Sequence, residues 1–213
     1  MTNNKLKNKL KSALGLLLIL AFFIISSYIV NKNLVFVKSL IGTGFLGITI
    51  YLLILIISTI IAPINDIPLI PVASAAWGWF WAAIICIIGW TIGAILAFVL
   101  ARKYGTPLVN HFFSDEKIDK YKGFVPNNHL FWSIVFLRIA VPVDIISYLV
   151  GLFSRINLST YIFATLLGVA PSAFFFAYFG TLPLYVQIIG VITFSLILLF
   201  GFLGLKYKIL KRE

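Results

Sequence analysis

The amino-acid sequence predicts an all-α, polytopic integral membrane protein with interrupted helical segments, on three observations. Of 213 residues, 62% are hydrophobic and 11% charged, with a mean hydropathy of +1.08; a soluble domain carries roughly 25% charged residues to cover its surface. Uncharged runs of 24, 35 and 50 residues divide the chain. Inside apolar surroundings lie prolines and ionisable side chains that a lipid-facing helix does not tolerate. This composition excludes a soluble globule, a disordered chain and a disulfide scaffold. Cys86 is the single cysteine, so no intrachain disulfide forms. The net charge of +11 comes from basic residues between and beyond the apolar spans, which favours anionic lipid headgroups over nucleic acid as partner.

Residues 13–30 are apolar or small and follow Lys5, Lys7, Lys9 and Lys11. No small-residue cleavage site precedes Asn31-Lys32-Asn33, so a retained helix is expected rather than a signal peptide. Residues 39–62 carry no charge over 24 positions and read as a complete crossing, for which ~20 suffice. The 35 uncharged residues from Ile67 to Ala101 are too many for one span, and Pro68 and Pro71 oppose a single helix. A broken segment followed by a span over about 79–101 fits them. Residues 102–129 form the one substantial polar loop. The stretch 130–153 is apolar but holds Arg138, Pro142 and Asp144. The 50 uncharged residues 156–205 allow two crossings, with Pro183 after Gly180 marking the turn.

Lysine and arginine counts place the loop 102–129 and the C-terminus on the cytoplasmic side. The loop holds five, the C-terminal segment four, and Arg155 adds one. The four N-terminal lysines should join them, which requires residues 63–78 to make a crossing; otherwise the N-terminus lies outside. Both arrangements of the first helix remain open at this stage.

Two segments carry what chemistry the chain offers. Asp66 lies in Pro63-Ile64-Asn65-Asp66-Ile67-Pro68-Leu69-Ile70-Pro71, where three prolines leave carbonyls without intrahelical donors. It is either an interfacial loop or a re-entrant hairpin, since irregular backbone in a bilayer survives only when buried in protein or lining a cavity. Arg138 and Asp144 are six residues apart with Pro142 between them. Each charge costs ~2.5–3.5 kcal/mol at mid-membrane on the lenient insertion scale. Either they form an ion pair that closes a hairpin, or the guanidinium faces a cavity and binds phosphate while Asp144 or Asp66 exchanges a proton.

His111 and His129 belong to the polar loop and read as solvated. No nucleophile elbow, phosphate-binding glycine loop, Rossmann pattern or Cys/His cluster occurs, so neither enzymatic activity, nor a cofactor, nor a metal is expected. Gly89, Gly93 and Ala97 recur every fourth position and suit close helix approach. Gly93 to Gly105 and Gly168 to Gly180 each span twelve residues behind a Pro/Asp-containing segment, a weak internal repeat of the kind transporters use.

Gly78-(x10)-Gly89-(x3)-Gly93-(x8)-Arg102-(x2)-Gly105, followed by Phe136-Leu137-Arg138-(x3)-Pro142-Val143-Asp144 and the run to Leu152, resembles the DedA/VTT membrane proteins, also called SNARE-associated Golgi proteins. Gly168-Val169-Ala170-Pro171 and Tyr178-Phe179-Gly180 fit the family's ending. The resemblance covers about residues 60–181. It implies two opposed re-entrant helical hairpins, about 63–78 and 130–153, meeting near the membrane centre among spanning helices. Residues 1–62 would then be a basic segment with two membrane helices, 63–181 the family domain, and 182–213 a last helix with a basic tail.

It further implies movement of phospholipid or polyprenyl-phosphate between leaflets, with proton coupling as an option. Arg138 corresponds to the family arginine of the second hairpin, and Asp66 to the acidic residue of the first. Strict DedA members have a second arginine where this chain has Asp144, so the likeness is closer to the Tvp-like branch. The candidate substrate- or proton-binding residues are therefore Arg138, Asp144, Asp66, Pro142 and Arg102, with Gly89, Gly93, Gly168 and Gly180 for helix packing. The rival functions are a proton-coupled transporter of small solutes or ions and a scaffold without transport. A bacterial plasma membrane is the expected location, with a homo-oligomer left open.

Overall fold

A computed structural model describes residues 18–33, 35, 44–61, 66–105, 130–140, 145–194 and 196, and every regular element among them is helical. Two helices form the periphery, α1 (Leu18–Lys32) and α8 (Leu184–Phe194). Between them lie α2 (Phe45–Ile60), a 3-10 turn (Ile67–Leu69), α3 (Ile70–Trp77), α4 (Trp79–Tyr104), α5 (Leu130–Ala140), α6 (Ile145–Phe153) and α7 (Leu158–Phe179).

The local sequence accounts for the breaks. Pro68 and Pro71 stand in the first turns of the 3-10 segment and of α3, where a missing N–H is harmless. Gly78 adopts φ +83, a conformation open to glycine, and lets the chain reverse sharply between α3 and α4. Helix α7 starts at Asn157, whose side chain accepts the backbone N–H of Thr160 at 2.8 Å. Pro171 lies inside α7 without ending it.

Contacts fix the direction of each helix. Tyr51 meets Cys86 at 3.4 Å, and Cβ atoms added at Gly89 and Gly93 would stand 2.7 Å from Leu55 and 2.6 Å from Thr59. Numbers rise together, so α2 and α4 are parallel. The chain between them must run back: Asp66 sits beside Ser58 and Trp90, while Trp77 packs on Tyr51 with ring centroids 5.6 Å apart. Helix α7 is antiparallel to α4, since Tyr161 lies against Ala94 and Phe98, and Tyr178 against Trp79.

Two three-helix units result, α2–α3–α4 and α5–α6–α7, and each short middle helix packs on the long helix of the other unit. A Cβ at Gly151 of α6 would stand 2.6 Å from the Phe98 carbonyl oxygen of α4. In the reciprocal pair, Ser74 of α3 donates to the Ala177 carbonyl of α7 at 3.0 Å, and a Cβ at Gly180 would stand 3.2 Å from Pro71. Gly168 lets α7 approach α5, where an added Cβ would lie 2.9 Å from that of Arg138. The twelve-residue glycine spacings thus fall on α4 and α7, the two equivalent long helices.

Of the segment 63–78, expected as a hairpin, the described part is Asp66, the 3-10 turn and α3, which runs antiparallel to α2. Residues 63–65 lie outside the described residues. The 16 residues of α2 fall within the span expected over 39–62 and rise ~24 Å. Pro68 and Pro71 start helices here. Helices α5 and α6 flank residues 141–144, which lie outside the described residues.

Outward faces are apolar throughout: Phe22, Leu53, Ile88, Val99, Phe163 and Leu167 are all exposed. Such a surface suits lipid and not water. At the periphery, Phe23 of α1 lies 6.0 Å from the Phe176 ring and 5.9 Å from that of Phe179. Buried Gln187 of α8 donates to Ser27 Oγ at 2.7 Å and to the Leu182 carbonyl at 2.8 Å, tying α1 and α8 to the end of α7.

Candidate functional site

Helix α4 is long enough to set a depth scale. Its 26 residues rise ~39 Å. Trp79, Phe80 and Trp81 are exposed at its start beside Tyr178, and Arg102, Lys103 and Tyr104 are at its end. Aromatic and basic residues favour the two membrane interfaces, so positions near 91 lie at mid-depth.

The one buried carboxyl group and the one buried guanidinium of the described residues meet α4 there. Asp66, 8% exposed, accepts at Oδ2 from Ser58 Oγ and from Trp90 Nε1, each at 2.8 Å. Two neutral donors from two helices thus hold a carboxyl group in an apolar environment, and no cation pairs with it among the described residues. One turn further along α4, the Ala94 carbonyl accepts from the Tyr161 hydroxyl at 3.2 Å, and that hydroxyl accepts from Arg138 Nη2 at 2.7 Å. The same Nη2 donates to Ser147 Oγ at 2.9 Å. Arg138 is 8% exposed, and its Nε is buried without an acceptor among the described residues.

Tyr161 is held in turn. Its ring stacks on Phe98 at 4.2 Å between centroids and 17° between planes, and the guanidinium of Arg102 covers Phe98 at 4.3 Å. Guanidinium groups gain from the electron-rich face of an aromatic ring. Arg102 also donates to the Ile156 carbonyl at 3.0 Å and the Ser154 carbonyl at 2.9 Å, anchoring the connection between α6 and α7. It stands eight residues beyond Ala94, ~12 Å along the axis.

The structure therefore brings Asp66 and Arg138 to adjacent turns of α4 and sets Arg102 at the helix end, where it supports Tyr161 through Phe98. Pro142 and Asp144 lie outside the described residues, as do His111, His129 and the N-terminal lysines; the proposed Arg138–Asp144 pair falls with them. The described partners of Arg138 are Ser147 and Tyr161. Sequence reasoning missed Ser58, Trp90 and Tyr161. Their signal was present as hydroxyl, indole and phenol groups inside otherwise apolar helices, positions where a polar group needs a partner.

Two interlocked helical units with a carboxyl and a guanidinium buried at mid-depth define a polytopic membrane protein with an intramembrane polar site. A family model, the VTT domain, matches residues 64–182, more than half of the 213-residue chain. The chain belongs to the VTT-domain family, in agreement with the DedA/VTT resemblance of its sequence. No curated protein and no solved structure matches it.

Proposed function

We propose that this protein moves a phosphate-bearing lipid, a phospholipid or a polyprenyl-phosphate, between leaflets as a translocase or scramblase, and that it is not an enzyme. One observation carries the reading: Arg138 is buried at mid-depth with its Nη2 engaged by Ser147 and Tyr161, while its Nε donor has no acceptor among the described residues. A purely structural arginine would have its donors satisfied, because an unpaired buried donor costs ~1–3 kcal/mol. A guanidinium N–H without a protein acceptor can donate to a phosphate oxygen. Asp66, one turn away along α4 and held only by neutral donors, is the group we assign to proton exchange. Exposed apolar helix faces give acyl or prenyl chains a surface to follow while the headgroup crosses.

The loop 102–129 and the C-terminus face the cytoplasm in this reading, and the membrane is a bacterial plasma membrane. Reconstitution into liposomes with a fluorescent phospholipid tests the function. Chemical reduction from outside should bleach lipid beyond the outer-leaflet fraction with the native protein and only that fraction with Arg138→Ala. Equal bleaching in protein-free vesicles, for phospholipid and polyprenyl-phosphate probes alike, would reject lipid transport and leave the small-solute transporter.

A further inference from the structure

Of the two hydroxyls that engage Arg138, the one from α7 is fixed in direction by chemistry. A guanidinium only donates and a carbonyl only accepts. The Tyr161 hydroxyl lies 2.7 Å from Arg138 Nη2 and 3.2 Å from the Ala94 carbonyl oxygen, so it accepts from the first and commits its own hydrogen to the second. Its ring is clamped as well. Tyr161 is fully buried and stacks on Phe98 at 4.2 Å between centroids and 17° between planes, and the Arg102 guanidinium lies over Phe98 at 4.3 Å. The guanidinium carbon of Arg138 is 5.7 Å from the Tyr161 ring centre, so the hydroxyl makes the closer contact.

Both hydrogens of Nη2 lie in the guanidinium plane. Tyr161 accepts one, and Ser147 Oγ of α6, at 2.9 Å, accepts the other. A single acceptor would let the group pivot about one N–H···O axis. Two acceptors from different helices set the plane, and with it the direction in which the remaining donors face. We infer that Tyr161 is a positioning residue for lipid transport: its hydroxyl, braced on the Ala94 carbonyl of α4, orients the Arg138 guanidinium toward the lipid phosphate without itself touching lipid. The inference rests on the phosphate reading of Arg138 proposed above and names the residue that gives the fork its direction. Charged groups act on a substrate only when their supports hold them to within about 0.5 Å and 10–20°.

A double-mutant cycle in the liposome assay tests this. Tyr161→Phe deletes the acceptor and keeps the ring on its Phe98 stack. With native Arg138, lipid transport should fall about tenfold. In the Arg138→Lys background no plane remains to be oriented, and the same change should cost less than twofold. Protein density is raised until the lysine variant is measurable above protein-free vesicles, so that the comparison is not set by the assay floor. Melting temperatures of all four proteins in detergent are recorded beside the rates.

Native rates in Tyr161→Phe would refute the positioning role while leaving the phosphate reading in place. An equal fold-loss in both backgrounds, tracking a lowered melting temperature, would likewise reduce Tyr161 to packing. If the native protein moves no lipid, or Arg138→Lys moves it at the native rate, the phosphate reading falls and this inference with it. Should Tyr161→Phe not fold, Phe98→Leu takes its place: it frees the phenol ring, keeps the hydroxyl, and is judged by the same loss with Arg138 and the same silence with lysine.

Discussion

The hydroxyl of Tyr148 donates to the main-chain carbonyl of Ile60 at 2.5 Å, joining α6 to the final residue of α2. The last four carbonyls of a helix lack intrahelical donors, so a residue of the second unit closes the open end of the first. Tyr148 is fully buried and lies one turn into α6, so the bond sits where the ends of the two units meet. Removing it with Tyr148→Phe leaves the carbonyl unpaired. We expect a loss of about 1–3 kcal/mol in stability, measured by chemical denaturation in detergent. A change within error would mean that the carbonyl finds another donor.

Asp66→Asn preserves shape and an oxygen acceptor for Ser58 and Trp90. Folding should therefore persist, while any dependence of lipid transport on an imposed pH gradient should vanish. Vesicle assays with and without the gradient check this; gradient-dependent transport retained by Asp66→Asn would remove Asp66 from proton coupling.

Trp90→Phe deletes one of the two donors to Asp66 and keeps an aromatic side chain in place. A buried carboxyl group that loses a hydrogen bond of this type is destabilised by about 1–3 kcal/mol. The double variant with Asp66→Asn should show less than the sum of the two single effects, because both changes act on one contact. Additive losses would argue that the indole serves packing alone.

Arg138→Lys retains a positive charge but presents a point donor instead of a planar fork. Lipid transport should fall at least tenfold while the protein still inserts and elutes as a folded species. Native transport rates in the lysine variant would reduce Arg138 to a source of charge.

Gly93→Ala places a methyl group 2.6 Å from Thr59 Cβ and 3.0 Å from the Ile56 carbonyl oxygen. Neither α2 nor α4 can yield without moving backbone, so a loss of about 1–3 kcal/mol is expected, in the range of overpacked cores. Gly44→Ala, with nothing among the described residues within 4 Å of the added Cβ, is the control and should be near neutral.

Much of this was legible in the chain itself. Composition determined the solvent, because 11% charge cannot cover a water-exposed surface. Uncharged runs predicted α1, α4 and α7, and glycine spacing pointed to the faces through which the long helices make close contact. Arg138 and Asp66 stood out because an ionisable group in an apolar stretch is too costly to be incidental. These are local signals, readable from residue type and spacing.

Tertiary structure decided which helices were paired and what the ionisable groups met. Residues 45–60 read as part of a span by hydropathy, and only the tertiary contacts show that they run parallel to α4 and antiparallel to α3. Trp90, Ser58 and Tyr161 are unremarkable in sequence; they become partners of Asp66 and Arg138 because the helices within each three-helix unit pack against one another. Hydrogen bonds over separations of 8, 23 and 24 residues depend on how whole helices pack, and that follows from backbone approach at glycines and from the buried polar groups' need for partners, which no short window of sequence contains.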